Sequence, residues 1–277
     1  MADGEREDSF AQGEAGEKYR TKVHGFKKHT ISNFLQDRHP YIPVPYSQRY
    51  DSKEVFHSVF DRSIPKLVEI LDMENLPDQN YREAFMLLNE MASHQENKMI
   101  MIDSGLVTTS LVYMRHPDAE VRRESTSLLG SLLSVKKGRD VLPDEMVCQV
   151  FSPMLLQDQL KCREVCGWML CRMTSGRDGV EKLIRLDQVQ YIIRSFKENS
   201  DKFSKDEAMF LIYLLECMAC ILQTDDGIEH FVSTSAMKRY NEILLREDHP
   251  FGEYETRIRY LCLYCTSLIA MSSEGKE

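Results

Sequence analysis

The chain has 277 residues, of which 42% are hydrophobic and 29% are charged, and its formal net charge is −9. This hydrophobic share is enough to bury a continuous core, and the length suits one extended domain. An acidic chain is a poor candidate for nucleic-acid binding, because phosphate recognition needs a positive surface. The densest basic stretches, Lys27-Lys28 and Lys136–Arg139, are short.

The N-terminal 22 residues are rich in Gly, Glu and Lys, and we expect them to be mobile or ordered only by a partner. Because the start is polar and acidic, no secretory signal is expected. The longest apolar run, residues 208–222, is too short to cross a bilayer and contains Glu216. We therefore expect a cytoplasmic protein with no membrane contact and with reduced cysteines.

A strip rich in Pro and Tyr follows at residues 39–50. Closely spaced prolines exclude a helix and favour an extended path. The strip could pack on its own chain or dock on another protein, and both alternatives stay open. Its candidate partner contacts are Tyr41, Pro43, Pro45 and Tyr46. We place an extended N-terminal arm at residues 1–51.

From Ser52 onward a unit recurs about every 40–47 residues. In the first unit the pattern predicts a short helix at Ser52–Asp61, a second at Ser63–Asp72 and a long third at Asp78–Ser93. The next unit repeats this order with helices at Glu96–Asp103, Leu106–Arg115 and Ala119–Val135, the last capped by Asp118. Three further units are predicted at about 138–174, 178–222 and 225–272, followed by a tail at residues 273–277.

Glycines recur between each long helix and the next short one, where a left-handed residue is expected to end the helix. They are Gly138, Gly176, Gly179 and Gly227, and Gly105 marks a turn after a short helix. A short, a medium and a long helix with a glycine turn are typical of armadillo repeats, and two-helix HEAT repeats are the alternative. The predicted fold class is all-α, a right-handed armadillo/HEAT-like solenoid of about five repeats over residues 52–272.

Two CxxC pairs, Cys217/Cys220 and Cys262/Cys265, are the strongest candidates for a metal site. Structural zinc needs four ligands that converge from tight knuckles, whereas both pairs lie inside apolar helices at corresponding positions. We interpret them as core residues and expect no metal and no cofactor. The sequence contains no phosphate-binding, metalloprotease or nucleophile-elbow motif, so an enzyme is not expected.

An arginine recurs near the start of four long helices, and the fourth unit has Asp206-Glu207 instead. These arginines are Arg82, Arg123, Arg163 and Arg257. Such a side chain can brace the preceding loop through backbone carbonyls, or it can contact a partner in the groove.

Several short motifs resemble one family of armadillo proteins. They are Arg62-Ser63-Ile64-Pro65-Lys66-Leu67, Val121-Arg122 with Thr126, Val135-x-x-Gly138-Arg139, Leu156-x-Asp158 before Cys162-Arg163, and Gly179-Val180-Glu181 before Ile184. In this order they are similar to the radial spoke head protein fourteen family of ciliary axonemes, over about residues 62–272. The resemblance implies a non-catalytic scaffold that bridges other radial spoke or axonemal proteins in a cilium or flagellum and supports motility. A cytosolic adaptor or cochaperone that binds peptide segments in its groove is the alternative, and neither takes a small-molecule substrate.

The last predicted helix is apolar around much of its surface, with Ile258, Leu261, Leu263 and Leu268. Ends of solenoids normally need a polar cap. We therefore expect a partner, or the N-terminal arm, to cover this helix, and we take Ile258 and Leu261 as its candidate contacts.

Overall fold

The computed structural model describes residues 63–199, 205–232, 234, 236–248 and 250–272. Among these residues all regular elements are helices, and no strand is present. The chain forms two compact units, Met1–Ala84 and Phe85–Glu277. The predicted arm, the first short helix and the tail lie outside the described residues, so the domain bounds at 51/52 and 272/273 stay predictions.

The first unit contains a helix through residues 63–71 (α1), and the second helix, α2 (Asp78–Met91), begins in it. Ile64 and Leu67 of α1 are fully buried. Leu76-Pro77 breaks the chain, as predicted, and α2 starts at the next residue. The hydroxyl of Tyr81 closes this break, since it donates to the Met73 carbonyl at 2.7 Å and accepts from the Leu76 N–H at 3.2 Å.

The second unit contains four helix triplets, each running short, medium and long. They are α3 (Gln95–Asp103), α4 (Leu106–Tyr113) and α5 (Ala119–Leu133); α6 (Lys136–Asp140), α7 (Asp144–Gln157) and α8 (Leu160–Thr174); α9 (Arg177–Arg185), α10 (Val189–Asn199) and α11 (Ala208–Ile221); and α12 (Asp225–Val232), α13 (Ala236–Leu245) and α14 (Glu255–Met271). Asp118 caps α5 as predicted, because its carboxylate accepts the Val121 N–H at 2.9 Å. The triplets confirm the all-α armadillo-like solenoid.

Long helices of successive triplets form the centre of the core. The helix α8 packs along both α5 and α11, and α11 packs along α14. Leu128, Met169 and Cys217, at one equivalent position of α5, α8 and α11, are fully buried. An apolar face that no single helix could bury is thus shared between neighbours. No helix in the described ranges is long and apolar enough to cross a bilayer.

The junction glycines act differently from the prediction. Gly138, Gly179 and Gly227 lie inside the short helices with ordinary backbone angles, and Gly176 has φ −114°. A Cβ at the first three would lie 2.0–2.2 Å from the carbonyl oxygen of Leu132, Met173 or Ile221. The expectation of left-handed caps at these four glycines is therefore wrong. At Gly138, Gly179 and Gly227, glycine lets each short helix touch the last turn of the preceding long helix. Gly105, which was predicted to mark a turn after a short helix, does adopt a left-handed conformation, with φ 80°.

Asn97 occupies the corresponding position of α3. Its buried amide donates to the Met91 carbonyl at 3.0 Å. The Met91 carbonyl corresponds to the carbonyls of Leu132, Met173 and Ile221, which lie against glycines. At this first junction an Asn side chain forms a hydrogen bond with the carbonyl instead.

The cysteines of the CxxC pairs lie in the core or at its edge, which agrees with their interpretation as small apolar residues. Cys217, Cys262 and Cys265 are fully buried, and Cys220 is partly buried. Burial raises the pKa of the Cys162 thiol to about 11 and that of Cys171 to about 12. Within the described part of the chain, no three His, Cys, Asp or Glu side chains are arranged to hold a metal ion.

We expect native N-ethylmaleimide treatment near neutral pH to add one fast adduct, at the exposed Cys148. The other cysteines are at least partly buried, and thiols with raised pKa values form little of the reactive thiolate. Intact-mass spectrometry should show one fast adduct in the native protein and eight after denaturation, since the sequence has eight cysteines. Cys148→Ser should remove the fast adduct. Equal fast labelling of the CxxC cysteines would contradict the buried placement.

Candidate partner-binding surface

Three arginines brace the chain just before the long helices, through carbonyls of the preceding loop or of the last turn of the medium helix. Arg163 donates to the Leu155 carbonyl, in the last turn of α7, at 3.1 Å, which supports the bracing interpretation for this residue. Arg122 donates to the carbonyls of His116 and Pro117 at 2.7 and 2.8 Å. Arg259 reaches the carbonyls of Leu244 and Arg246 at 3.2 and 2.7 Å.

Two of the bracing positions were assigned wrongly from the sequence. Arg123 pairs with Glu120 and Glu124 of its own helix, while Arg122 holds the loop. Arg257 pairs with Glu216 of α11, and Arg259 holds the loop. Each segment has two arginines close together, and the rotation of the helix decides which one points at the loop.

Arg122 also links two triplets, because it forms a two-point ion pair with Asp158 at 2.6 and 2.7 Å. Burial alone would raise the pKa of Asp158. The hydrogen bonds from Arg122 and from the Gln159 N–H outweigh it, so the pKa of this carboxyl lies below its usual value. A lowered folded pKa stabilises the protein above the unfolded value of about 4, and this stabilisation is lost as the pH falls.

We expect Asp158→Asn to lower the free energy of unfolding at neutral pH by about 1–3 kcal/mol, since it breaks charged hydrogen bonds. Because the variant has no carboxylate to protonate, its stability should fall less than that of the wild type between about pH 5 and pH 3. Urea unfolding at several pH values measures both. Glu181→Gln, at an exposed ion pair, is the control and should follow the wild type. A difference between Asp158→Asn and wild type that does not shrink at low pH would contradict the prediction.

A continuous polar and aromatic surface runs along the long helices, and we call it the long-helix face. It is formed by two rows of equivalent positions that are partly or fully exposed: Ser127, Trp168, Glu216 and Tyr264, and, four residues later, Ser131, Arg172, Cys220 and Leu268. The strong packing of α5, α8, α11 and α14 in that order makes the rows continuous.

Trp168 is the central aromatic side chain of this face. Gly130 of α5 makes room for it, since a Cβ there would lie 2.4 Å from the indole ring. The guanidinium of Arg172 lies 5.3 Å from the centre of the same ring, within cation–π range. One half-buried aromatic ring thus stands beside an exposed cation.

Carboxylates of the helices on either side of α8 are held by hydrogen bonds and ion pairs. In α5, the Glu124 carboxylate accepts from the Asn89 amide at 3.1 Å. In α11, Glu216 accepts from the Cys171 thiol at 3.4 Å and pairs with Arg257. Burial raises the pKa of the Glu164 carboxyl on the intervening helix. The long-helix face therefore carries a cation, Arg172, and a carboxylate, Glu216, together with the Trp168 ring, which suits a polypeptide with both polar and apolar groups.

Two grooves on other surfaces are held by internal contacts. One of about 360 Å³ is lined by Arg139, Asp178 and Lys182, among others. Arg139 pairs with Asp178 at 2.6 Å, and Lys182 donates to the carbonyls of Arg139 and Leu142. These charges connect two triplets.

The other groove, of about 310 Å³, lies between α4 and α7. Pro153 has no N–H for the Gln149 carbonyl four residues before it. Arg115 replaces the missing donor at 3.3 Å, so this groove too serves the packing of neighbouring triplets.

The six predicted contact residues fall into two groups, four that lie outside the described residues and two that are buried. Tyr41, Pro43, Pro45 and Tyr46 lie outside the described residues. Ile258 and Leu261 have only 0% and 8% of their surface exposed. Their selection as partner contacts is thus corrected, because both side chains pack into the core of the chain.

The exposed apolar residues of α14 are Tyr260, Leu263, Tyr264 and Met271. Sequence reasoning did not single out this set, although it noted Leu263. Both faces of the helix are apolar, so a periodic pattern alone could not tell which one turns inward. Alignment of α14 with α11 by their shared core positions would have provided the missing signal.

No protein-family model and no curated protein matches the chain. A crystal structure of an engineered protein matches it with a TM-score of 0.62 at 16% identity, over 93% of this chain and 94% of the other. A designed armadillo repeat protein in complex with the peptide (KR)4 gives a TM-score of 0.62 at 13% identity, over 80% of this chain and 95% of the other. Computationally designed armadillo repeat proteins for modular peptide recognition give a TM-score of 0.61 at 11% identity, over 79% of this chain and 94% of the other. At these identities the likeness shows the fold alone: the chain has the armadillo-repeat fold.

Proposed function

We propose that the chain is a non-catalytic scaffold that binds other proteins through its long-helix face. The observation that carries this proposal is the position of Trp168, half-buried on Gly130 and beside Arg172 and charged neighbours. Aromatic and arginine side chains supply much of the binding energy in protein interfaces. Stacked triplets repeat the surface along the solenoid, so one chain can engage an extended partner at several points.

More specifically, we propose a structural subunit of the axonemal radial spoke, which bridges other spoke proteins and supports ciliary motility. This step rests on the sequence motifs that resemble the radial spoke head protein fourteen family, from Arg62–Leu67 to Gly179–Glu181. It places the protein in the axoneme of a cilium or flagellum, with other spoke proteins as its partners.

Fractionation of ciliated cells that express the tagged full-length chain tests this assignment. We expect the chain to stay with detergent-extracted axonemes and to leave them together with spoke proteins in chaotropic salt. Arg172→Glu should weaken this retention, because it reverses the charge beside Trp168. Arg177→Glu, at a side chain with 85% exposure on a short helix, is the matched control. Recovery of the wild-type chain in the detergent-soluble fraction would refute the axonemal assignment.

The second candidate is a cytosolic adaptor or cochaperone that holds a peptide segment against the same face. The peptide-bound designed armadillo protein gives this candidate its structural precedent, and Glu124 and Glu216 supply carboxylates that could meet basic side chains. Trp168 is the only tryptophan of the chain, so its fluorescence reports on this face directly. Titration with (KR)4 should change the emission in a saturable, salt-sensitive way if the adaptor assignment holds. An unchanged emission at all peptide concentrations would count against it for basic peptides.

A further inference from the structure

Two basic side chains, Lys98 and Arg172, meet at the edge of the long-helix face, and we call them the cation pair. Lys98 is a partly buried residue of the short helix α3, and its ammonium donates to the Ser134 hydroxyl, at the end of α5, at 3.2 Å. The guanidinium of Arg172 in α8 lies over the Trp168 ring. Within the described residues neither cation forms an ion pair. A partly buried charge without a counterion is costly, so the cation pair needs an explanation.

The equivalent positions of two junctions show why Lys98 has no counterion. Lys98 corresponds to Arg139 of α6, because each comes directly after the residue that lies against a long-helix carbonyl. Arg139 pairs with Asp178 of the next short helix at 2.6 Å. At the junction of Lys98, the residue that corresponds to Asp178 is Lys137, whose ammonium pairs with Asp103. One junction therefore has an internal carboxylate where the other has a second cation.

Arg172 lacks a counterion for a different reason. Glu216, the carboxylate of the long-helix face on the neighbouring α11, already pairs with Arg257. The positions beside Arg172 in its own row are Ser131 and Cys220, which are small and carry no charged group. The guanidinium is therefore exposed beside the indole ring, and its charge is available to another molecule.

The two members of the cation pair act on each other across the end of α5. Burial and the nearby charge of Arg172 lower the pKa of Lys98 below its usual value. Like charges held close together cost free energy, which an anion beside both of them offsets. The Ser134 hydroxyl donates to the Ser131 carbonyl at 2.7 Å, so the partly exposed Ser131 hydroxyl lies at the same place and adds a further donor. These groups together suit a negatively charged ligand.

The amount of charge indicates the class of ligand. The cation pair carries two positive charges, which two neighbouring carboxylates of an acidic polypeptide segment would balance. An arginine fork and a lysine ammonium both form strong charged hydrogen bonds with carboxylates. The Trp168 ring, beside Arg172, provides an apolar contact for the same segment. The net charge of −9 does not oppose this binding strongly, because charges more than about 8 Å away are screened at physiological ionic strength.

We propose that the long-helix face recognises an acidic segment of a protein partner, whose carboxylates bind between Lys98 and Arg172. This inference rests on the proposed function, since it names the chemistry of the partner that the same face binds. It gives a binding role to Lys98, which lies on a short helix outside the two rows of the face. It also predicts a partner segment with a charge opposite to that of (KR)4.

Fluorescence anisotropy of a dye-labelled (DE)4 peptide, titrated with the full-length chain at physiological ionic strength, tests the proposal. We expect saturable binding with a dissociation constant of about 100 µM or tighter. Lys98→Gln, and separately Arg172→Gln, should raise this constant at least about tenfold, because each removes a charged hydrogen bond. Neither variant should lower the thermal unfolding midpoint, since neither breaks an ion pair. Lys238→Gln, at an exposed lysine of α13, is the matched control and should bind as the wild type does.

Three results would overturn the inference. They are no rise in anisotropy at about 300 µM wild-type chain, equal affinity of the wild type and both cation-pair variants, and tighter binding of a single-stranded oligonucleotide of similar length than of (DE)4. The last result would assign the cation pair to nucleic acid.

Fractionation of ciliated cells separates a failure of this inference from a failure of the proposed function. If the Lys98→Glu chain stayed with axonemes as well as the wild type, the scaffold assignment would stand and the acidic-segment inference would fail. If the wild-type chain were detergent-soluble, the axonemal assignment would fail, whereas the affinity for (DE)4 would still decide the inference.

Discussion

Replacing Arg139 by alanine is expected to lower the free energy of unfolding by about 3 kcal/mol. The Arg139 side chain is 8% exposed and forms a two-point ion pair with Asp178 at 2.6 and 3.0 Å. It also donates to the Leu133 carbonyl at 2.9 Å. Removing one partner of a buried pair leaves the other charge without compensation. The expected cost lies at the low end of the usual range because Asp178 keeps 34% of its surface exposed.

Urea unfolding followed by far-UV circular dichroism measures this effect. Arg177→Ala is the matched control, since Arg177 forms an ion pair with Glu181 within the same helix and is 85% exposed. Exposed pairs contribute about 0–1 kcal/mol, so this variant should unfold almost as the wild type does. Equal losses in the two variants would show that the buried arginine does not hold the junction between α6 and α9.

Gly179→Ala is expected to lower the free energy of unfolding by about 2 kcal/mol. A Cβ at this position would lie 2.0 Å from the Met173 carbonyl oxygen, and a backbone atom cannot rotate away. Overpacking of this kind costs up to about 3 kcal/mol. The higher helix propensity of alanine returns only about 1 kcal/mol, so the steric effect decides the sign.

Glu181→Ala, two residues further along α9, is the control for this substitution, because its side chain is 60% exposed. It should change stability by about 0.5 kcal/mol at most. If Gly179→Ala proved as stable as the wild type, the short helix would have moved outward. The junction at Asn97 shows that a side chain can be accommodated when the helices are spaced for it.

The helices themselves could be predicted from the sequence because their signals are local. Proline and aspartate mark the start of α2 and α5, and the apolar period of the long segments is that of a helix. The repeat of these signals also predicted the armadillo class, which the solved structures confirm. Cys217, Cys262 and Cys265 are buried, as their apolar helices predicted, but the two CxxC pairs are not at corresponding positions, since Cys265 is the equivalent of Cys217.

Contacts between triplets could not be predicted in the same way. Arg122 and Arg123 are neighbours in sequence, and only the rotation of α5 against the loop selects Arg122 as the brace. The junction glycines were recognised as special positions, but the close approach that requires them is a distance between two helices. Sequence spacing holds no information on that distance.

The all-α repeat architecture and the apolar character of the last helix follow from the sequence. The structure was needed to show that Ile258 and Leu261 turn inward while Tyr260, Tyr264 and Met271 turn outward, because both faces of α14 are apolar. Packing against α11 and α13 on one side alone makes one of them core and leaves the other exposed.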